Sequence, residues 1–229
     1  MSKIKLKTPA PPSVLIAIPC MSHVPVEFMA SLVALDPTPG GRITMKSGSL
    51  VYKARNDIVA MAIEGGFDYI CWIDSDMVFD TDLVWRLLDD MKDGKDYVTG
   101  IAFTRKFPLE PVIYKSIEWQ ERPEGGVRCG ISQYKDYPEN SLFQIAGSGM
   151  GACMIRTSVL KDVAQKFKCA PFNPLQGLGE DVSLNWRLSQ MGVKMWCDSR
   201  IKVGHVGWVT FRESMYIRPE DKEMPCEAL

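Results

Sequence analysis

The chain has 229 residues, of which 46% are hydrophobic and 24% charged, and its formal net charge is −1. This composition is ordinary for a globular domain, and the low net charge excludes an overall field that draws the chain to nucleic acid or anionic membranes. No apolar run approaches the ~20 residues that cross a bilayer, and the first residues lack the apolar stretch of a signal peptide. We therefore expect a single cytoplasmic domain over residues 1–229, with no nucleic-acid partner and no integral membrane segment.

The first half of the chain predicts strands that alternate with helices. Apolar runs predict buried strands over Val14–Cys20, Tyr69–Ile73 and Tyr97–Phe103. Between them, helical spacing predicts one helix over Val51–Glu64 and a second that is capped by Asp80 and ends at Gly94. Because such alternation favours parallel pairing, we expect an α/β fold with a mostly parallel central sheet flanked by helices.

The second half predicts a different arrangement, with a smaller mixed sheet. Short strand-like pieces lie between residues 110 and 146, around a polar insert near 121–140. A helix from Thr157 to Phe167, a second helix that begins at GEDVSLNWRL, and the two short strands VKMWC and IKVGHVG follow. The polar residues after Arg212 predict a surface tail.

Two aspartates follow the predicted strand Tyr69–Ile73 directly, in the triplet Asp74-Ser75-Asp76. Ligands of open parallel sheets bind beyond the carboxyl ends of the strands, and residues i and i+2 of a strand face the same side. Two carboxylates in one place repel each other unless a cation compensates them, and Mg²⁺ or Mn²⁺ accepts such oxygen ligands together with phosphate oxygens. A solvated turn is the ordinary alternative, but the position favours a metal–phosphate site.

Three further motifs are ambiguous when each is taken alone. Glu180 and Asp181 begin a helix, where acids favour the helix dipole, although a carboxylate there can also act as a general base. His205 lies between glycines and is either a hydrogen-bonded polar residue or a metal ligand that suits Mn²⁺ better than Mg²⁺. Arg55, early in its helix, either faces solvent or attracts phosphate.

In order and spacing these motifs resemble those of GT-A glycosyltransferases, the nucleotide-sugar-dependent enzymes with a D-x-D motif, and family-2-like members in particular. The resemblance extends from about Val14 to Trp208. The segments that carry it are VLIAIP, ARNDIV, YICWIDSDMVF, GSGMGACMIR, GEDVSLNWRL and VGHVG. Each segment is weak evidence alone, whereas their order is fairly specific.

The resemblance implies a metal-dependent glycosyltransferase that moves a sugar from a nucleoside-diphosphate sugar to a hydroxyl of a glycan or another acceptor, with Mn²⁺ or Mg²⁺ as cofactor. Residues 14–108 would form its nucleotide-binding half, residues 109–211 its acceptor and catalytic half, and residues 212–229 the surface tail. Asp76 and His205 would hold the metal, with Asp74 as a third candidate ligand that also reaches the nucleotide side. The remaining site residues would be Pro19, Arg55, Ser75, Gly149, Met150 and Gly151 at the nucleotide sugar, and Asp181 and Glu180 as the catalytic pair.

Three other functions remain open at this point. Asp74 and Asp76 also fit the D-x-D-x-[TV] loop of haloacid-dehalogenase-like phosphatases, but that loop normally follows the first strand, and no later G-D-x-x-x-D motif is present. A sugar-nucleotide nucleotidyltransferase needs a glycine-rich loop after its first strand, which PCMSHVPVEF does not provide. A non-catalytic module that binds nucleotide sugars would have the same motifs. The stereochemistry of transfer also stays open, because retaining relatives use the acidic pair to position the sugar.

Overall fold

The structure is a computed structural model that describes residues 11–36, 38, 40–121, 127–207 and 209–219. Its helices are α1 (Val26–Val33), α2 (Val51–Glu64), α3 (Leu83–Asp90), α4 (Thr157–Phe167) and α5 (Glu180–Gln190). Its strands are β1 (Val14–Cys20), β2 (Arg42–Ser47), β3 (Tyr69–Ile73), β4 (Met77–Val78), β5 (Tyr97–Ile101), β6 (Ile113–Glu121), β7 (Val127–Gln133), β8 (Leu142–Ile145), β9 (Gly147–Ser148), β10 (Ala152–Arg156), β11 (Met195–Lys202), β12 (Gly204–Val206) and β13 (Thr210–Phe211). Trp208, residues 122–126 of the predicted insert and residues 220–229 of the predicted tail lie outside the described residues.

The main sheet has seven strands in the order β2-β1-β3-β10-β5-β11-β8. β1 pairs in parallel with both β2 and β3, and β5 pairs in parallel with β11. β10 lies antiparallel between β3 and β5, and β8 is antiparallel to β11 at one edge. The prediction of an α/β fold with a mostly parallel sheet is confirmed. Three strands of the second half, β8, β10 and β11, complete the sheet that the first half begins.

Two small sheets, β13-β12-β4 and β7-β6-β9, are antiparallel rather than mixed. The hairpin of β6 and β7 contains part of the predicted polar insert. In the other small sheet β12 pairs with β4, so that His205 lies opposite Met77. This pairing brings a residue from the end of the chain next to the turn that carries Asp74 and Asp76.

β1, α2 and β3 have the bounds that the sequence predicts. β5 ends at Ile101 instead of Phe103, because Phe103 leaves the sheet and forms an isolated bridge with Pro111. α3 begins after Asp82 rather than Asp80. The first of the two predicted late strands continues without a break to Lys202 as β11.

The sequence patterns do not predict α1 and β2. α1 has only Phe28 fully buried, so its apolar stripe is narrow. β2 is an edge strand, and its apolar residues Ile43 and Met45 are largely exposed. Neither element has the continuous apolar face on which sequence patterning depends. Within the described residues, no helix is long and apolar enough to cross a membrane.

The core covers both faces of the main sheet. Leu15 and Ala17 of β1 pack with Trp72 of β3 on one face, whereas Ile16 and Ile18 pack with the other buried side chains on the opposite face. The Trp72 ring meets Phe172 edge to face, with ring centroids 5.0 Å apart. Because β3 is buried on both faces, its carboxyl end is a rigid support for the residues that follow it.

A buried pair of carboxyl groups, Asp90 of α3 and Asp198 of β11, lies away from that end of the sheet. Arg200 Nε donates to Asp198 Oδ1 at 2.8 Å, and Arg200 Nη2 lies 3.5 Å from Asp90 Oδ1. Burial, together with the hydrogen bond and charge of Asp198, raises the pKa of Asp90 to about 7. Burial also acts to raise the pKa of Asp198, but Arg200 outweighs it and the pKa is lowered, so Asp198 stays ionised.

We expect the Asp90 pair to make folding stability depend on pH. The pKa of Asp90 is about 7 in the folded chain and about 4 in the unfolded chain, so the folded chain binds more protons between these values. Stability therefore falls as pH rises from about 4 to about 7, by about 3 kcal/mol when coupling to Asp198 is allowed for. Asp90→Asn should remove this fall, measured as the free energy of urea unfolding at pH 5 and pH 7.5.

The matched control is Asp89→Asn, which removes the exposed neighbouring carboxylate that pairs with Lys92. This variant should keep most of the pH dependence of the unmodified chain, because the charge of Asp89 is the smallest of the contributions to the pKa of Asp90. Parallel stability curves for Asp90→Asn and the unmodified chain would show that Asp90 does not titrate in this range.

Candidate functional site

A cavity of about 170 Å³ opens at the carboxyl ends of β3 and β5. Asp74, Asp181, His205 and residues 149–151 are among the residues that line it. A larger cavity of about 530 Å³ lies beside Gly204 and is lined mainly by cationic and anionic side chains that pair with each other. We place the candidate site in the smaller cavity, because it lies beyond the strand ends and is lined by several of the residues that the sequence motifs indicate.

Arg55 of α2 joins the two acidic motifs. Its Nη2 donates to Asp74 Oδ1 at 2.7 Å, and its Nε lies 3.4 Å from Glu180 Oε1. The guanidinium carbon lies over the rings of Trp72 and Phe172, at 5.6 and 5.7 Å from their centroids. With a side chain only 3% exposed, Arg55 links the end of β3 to the start of α5 from within the protein.

The charges of Arg55, Asp74 and Glu180 compensate each other where water has little access. Burial raises the pKa of Asp74, with Asp76 and Glu180 adding to the rise, while Arg55 opposes it. Burial by itself lowers the pKa of Arg55, but Asp74 and Glu180 outweigh it and the pKa is raised. Arg55 therefore remains a cation and is the group that keeps the carboxylates together.

Replacing Arg55 with methionine should lower the free energy of unfolding by about 3 kcal/mol, because it leaves Asp74 and Glu180 without their buried partner. Lys53→Met is the matched control, since it removes a cation from an exposed position of the same helix. Urea unfolding at pH 7.5 measures both. Equal stability of the two variants would show that the Arg55 pairs contribute nothing.

Asp76 contacts Arg105, His205 and the backbone amide of Val206. Its Oδ2 forms an ion pair with Arg105 Nη1 at 2.8 Å and lies 3.4 Å from His205 Nε2. Its backbone carbonyl accepts from the Val206 amide at 2.8 Å, so the turn after β3 is held against β12. Burial acts to raise the pKa of Asp76, but His205 and Arg105 outweigh it and the pKa is lowered. Asp76 is thus an ionised carboxylate that faces an imidazole.

The donor set at Asp76 suits a divalent cation. His205 Nδ1 lies 2.9 Å from the Phe103 carbonyl, and a neutral imidazole that donates there keeps the Nε2 lone pair directed toward Asp76. A carboxylate oxygen and an imidazole nitrogen together are ligands for Mn²⁺. The residues therefore fit the implied metal, with two protein ligands and other positions left for water and phosphate oxygens.

Asp74 does not join Asp76 and His205. Within the described ranges, no cluster of three or more Asp, Glu, His or Cys residues is arranged to hold a metal ion. The Met77 amide donates to the Asp74 carbonyl at 3.1 Å, so the chain turns after Ile73 and the two aspartates no longer follow the i, i+2 rule of a strand. Asp74 faces Arg55, while Asp76 faces His205.

Gly149 and Gly151 of the segment GSGMGACMIR line the cavity. A Cβ on Gly149 would lie 2.8 Å from Val112 Cγ1, and a Cβ on Gly151 would lie 2.9 Å from Met77 Cε. Side chains at these two positions would therefore collide with neighbours or fill the cavity. Met150, between them, is buried, with its sulfur 3.3 Å from Cys153 Sγ.

Asp181 and Glu180 point to different partners. Asp181 Oδ1 accepts from the Val182 amide at 2.7 Å, and its Oδ2 would lie 3.7 Å from a Cβ on Gly149. Burial raises the pKa of Asp181, with Glu180 adding to the rise, whereas the Val182 amide and Arg55 oppose it. Asp181 is consequently the carboxylate of this pair that lines the cavity, and Glu180 pairs with Arg55.

Three residues remain to be placed: Pro19 and Ser75, which the sequence predicts for the site, and Arg105, which it does not. Pro19 lies near the end of β1, opposite Lys46 of β2, and Ser75 lies in the turn between β3 and β4. Their roles stay predictions. Arg105, which contacts Asp76, is missed by the sequence reasoning, although the basic pair Arg105-Lys106 just after the third predicted strand is a signal for it.

No family model and no curated protein sequence matches the chain. Among solved structures, A197 from STIV has a TM-score of 0.61 and 19% sequence identity, over 85% of this chain and 86% of A197. GalNAc-T7, solved with UDP, GalNAc and Mn²⁺, has a TM-score of 0.56 and 9% identity, over 89% of this chain and 45% of GalNAc-T7. The chain thus spans under half of GalNAc-T7. At these identities the likenesses concern the fold alone, and they support a GT-A-like α/β fold for this chain.

Proposed function

We propose that the chain is a metal-dependent glycosyltransferase that moves a sugar from a nucleoside-diphosphate sugar to an acceptor hydroxyl. The observation that carries this proposal is the pair of Asp76 Oδ2 and His205 Nε2, 3.4 Å apart, beside a cavity at the carboxyl edge of a GT-A-like sheet. The fold likeness to GalNAc-T7, which was solved with UDP, GalNAc and Mn²⁺, agrees with it.

Asp76 and His205 would hold Mn²⁺ or Mg²⁺. When bound, the cation would act as a Lewis acid that stabilises the negative charge of a leaving nucleoside diphosphate. The protein's own part is to keep the two ligands in place: the Phe103 carbonyl orients His205, and the Val206 amide holds the Asp76 backbone. The backbone of the turn would therefore need no large rearrangement to hold the cation.

The donor sugar would lie against Gly149 and Gly151, where the backbone lines the cavity. Asp74 would bind the nucleotide side through its Oδ2, because its Oδ1 accepts the hydrogen bond from Arg55. Pro19 and Ser75 would contact the nucleotide, as the motif resemblance implies. Arg55 would not contact the substrate. It would act as a positioning residue, because its buried guanidinium is already paired with Asp74 and Glu180.

Asp181 would be the general base that takes the proton of the acceptor hydroxyl, in an inverting transfer. Its Oδ2 is free of the Val182 hydrogen bond and faces the cavity. Its raised pKa makes it a stronger base than an ordinary aspartate while it is ionised. Glu180 supports it through Arg55 rather than through the substrate.

The test is an incubation of the chain with a panel of nucleoside-diphosphate sugars, with Mn²⁺ or with EDTA, in which the released nucleoside diphosphate is measured. We expect Mn²⁺-dependent release from one donor, accelerated by a suitable acceptor. Release of inorganic phosphate from a generic phosphoester, abolished by Asp74→Asn, would indicate a phosphatase instead. Donor binding without any release would indicate a binding module.

A further inference from the structure

Arg105 occupies the place at Asp76 where a cation would bind. Its Nη1 forms an ion pair with Asp76 Oδ2 at 2.8 Å, the same oxygen that faces His205 Nε2. The same nitrogen lies 3.4 Å from the Val206 carbonyl, above the end of β12. One carboxylate oxygen thus has a guanidinium and an imidazole as its neighbours.

The position of Arg105 in the chain allows it to leave this contact. It belongs to the segment between β5 and β6, and its side chain is 50% exposed. Gly207 lies beneath it without a side chain, and a Cβ there would come within 3.5 Å of Arg105 Cδ. Within the described residues, the polar partners of the guanidinium are Asp76 and the Val206 carbonyl.

A divalent cation and Arg105 compete for the same oxygen. Two positive groups a few ångströms apart repel each other, so a cation on Asp76 Oδ2 must displace the guanidinium. A displaced, solvent-accessible arginine has a planar set of donors that matches phosphate oxygens. A diphosphate that arrives with the cation would provide Arg105 with the negative charge that it loses at Asp76.

We propose that Arg105 is a two-position residue: it neutralises Asp76 when no divalent cation is bound, and it binds the diphosphate when the cation takes its place. This inference deepens the proposed function and rests on it. Its consequence is a thermodynamic coupling, in which the cation alone binds weakly and the cation with a diphosphate binds well.

The test measures binding rather than turnover. Mn²⁺ alone is titrated into the chain and followed by electron paramagnetic resonance, and inorganic pyrophosphate is then titrated at saturating Mn²⁺ by calorimetry. Arg105→Gln should bind Mn²⁺ about fivefold more tightly, the size expected for one partly exposed ion pair. The same variant should bind pyrophosphate about fivefold or more weakly, since it lacks the guanidinium.

Lys106→Gln is the matched control, because it removes the same charge from the next, exposed position, which makes no contact with Asp76 within the described part of the chain. It should change neither affinity, which separates the contact of Arg105 from a general loss of positive charge. Arg105→Lys should retain part of both effects.

Opposite changes in the two affinities support the proposal. Unchanged or weaker Mn²⁺ binding by Arg105→Gln, or unchanged pyrophosphate binding, would overturn it. If Arg105→Gln leaves either affinity unchanged while the unmodified chain binds Mn²⁺ in a manner that Asp76→Asn abolishes, the role of Arg105 is refuted and the proposed function stays intact. If no form of the chain binds Mn²⁺, the inference and the proposed cation site fail together.

Discussion

Asp76→Asn should lower the Mn²⁺-dependent affinity for the nucleoside diphosphate product by more than about 100-fold. Loss of a residue that hydrogen-bonds a metal ligand commonly lowers the affinity for the metal 10- to 100-fold. The loss of a ligand itself should therefore lower it more. The amide keeps the size of the side chain and the turn that its backbone forms with Val206, so the fold should be retained. Calorimetric titrations with Mn²⁺ and with EDTA measure the effect.

Asp80→Asn is the control for this substitution, because Asp80 is an exposed aspartate just after β4. It should leave both titrations unchanged. A variant Asp76→Asn that binds the diphosphate as well as the unmodified chain, with the same gain from Mn²⁺, would show that Asp76 is not a metal ligand.

Asp181→Asn should lower the turnover of donor and acceptor by about 10²- to 10⁴-fold, the range that general-base catalysis contributes. The asparagine keeps the volume and can still accept a hydrogen bond from the Val182 amide, but it cannot take a proton. The Kd of the donor should change little, because the base acts on the acceptor. Initial rates at saturating donor, with donor binding measured separately, distinguish kcat from affinity.

The pH dependence of the same reaction provides a second check on Asp181. A general base must be ionised, so kcat should fall as pH drops through the pKa of Asp181, and the raised pKa places that fall above the range of an ordinary aspartate. Asp162→Asn, which removes an exposed carboxylate of α4, should keep both rate and profile. A normal rate for Asp181→Asn would contradict its role as base and would favour transfer with retention.

The parts of the fold that the sequence predicts well are those with local patterns. β1 and β3 are short apolar runs, and α2 has helical spacing that ends at two glycines, so each is determined by its own residues. β10 could not be placed in this way. It lies between β3 and β5 because of pairings over long sequence separations, and nothing in its five residues specifies those neighbours.

In the site, too, some features follow from local sequence and others from long-range packing. The sequence places Asp74 and Asp76 at a strand end, but not their different partners, because these depend on the turn after Ile73 and on residues far along the chain. The burial of Arg55 depends on Trp72 and Phe172, and the contact of Arg105 with Asp76 depends on the path of a loop. Motifs therefore identify the chemistry, whereas three-dimensional packing decides which groups act together.

The proposed cation–diphosphate site is tested most directly by thermal unfolding of the unmodified chain with UDP, GDP, ADP, CDP and dTDP, each with Mn²⁺ or with EDTA. A ligand that binds the folded chain raises Tm by mass action. We expect at least one of these nucleotides to raise Tm with Mn²⁺ and not with EDTA, and the rise to disappear in Asp76→Asn. If no nucleoside diphosphate raises Tm in the presence of Mn²⁺, the site does not bind the metal and diphosphate together, and the account is contradicted.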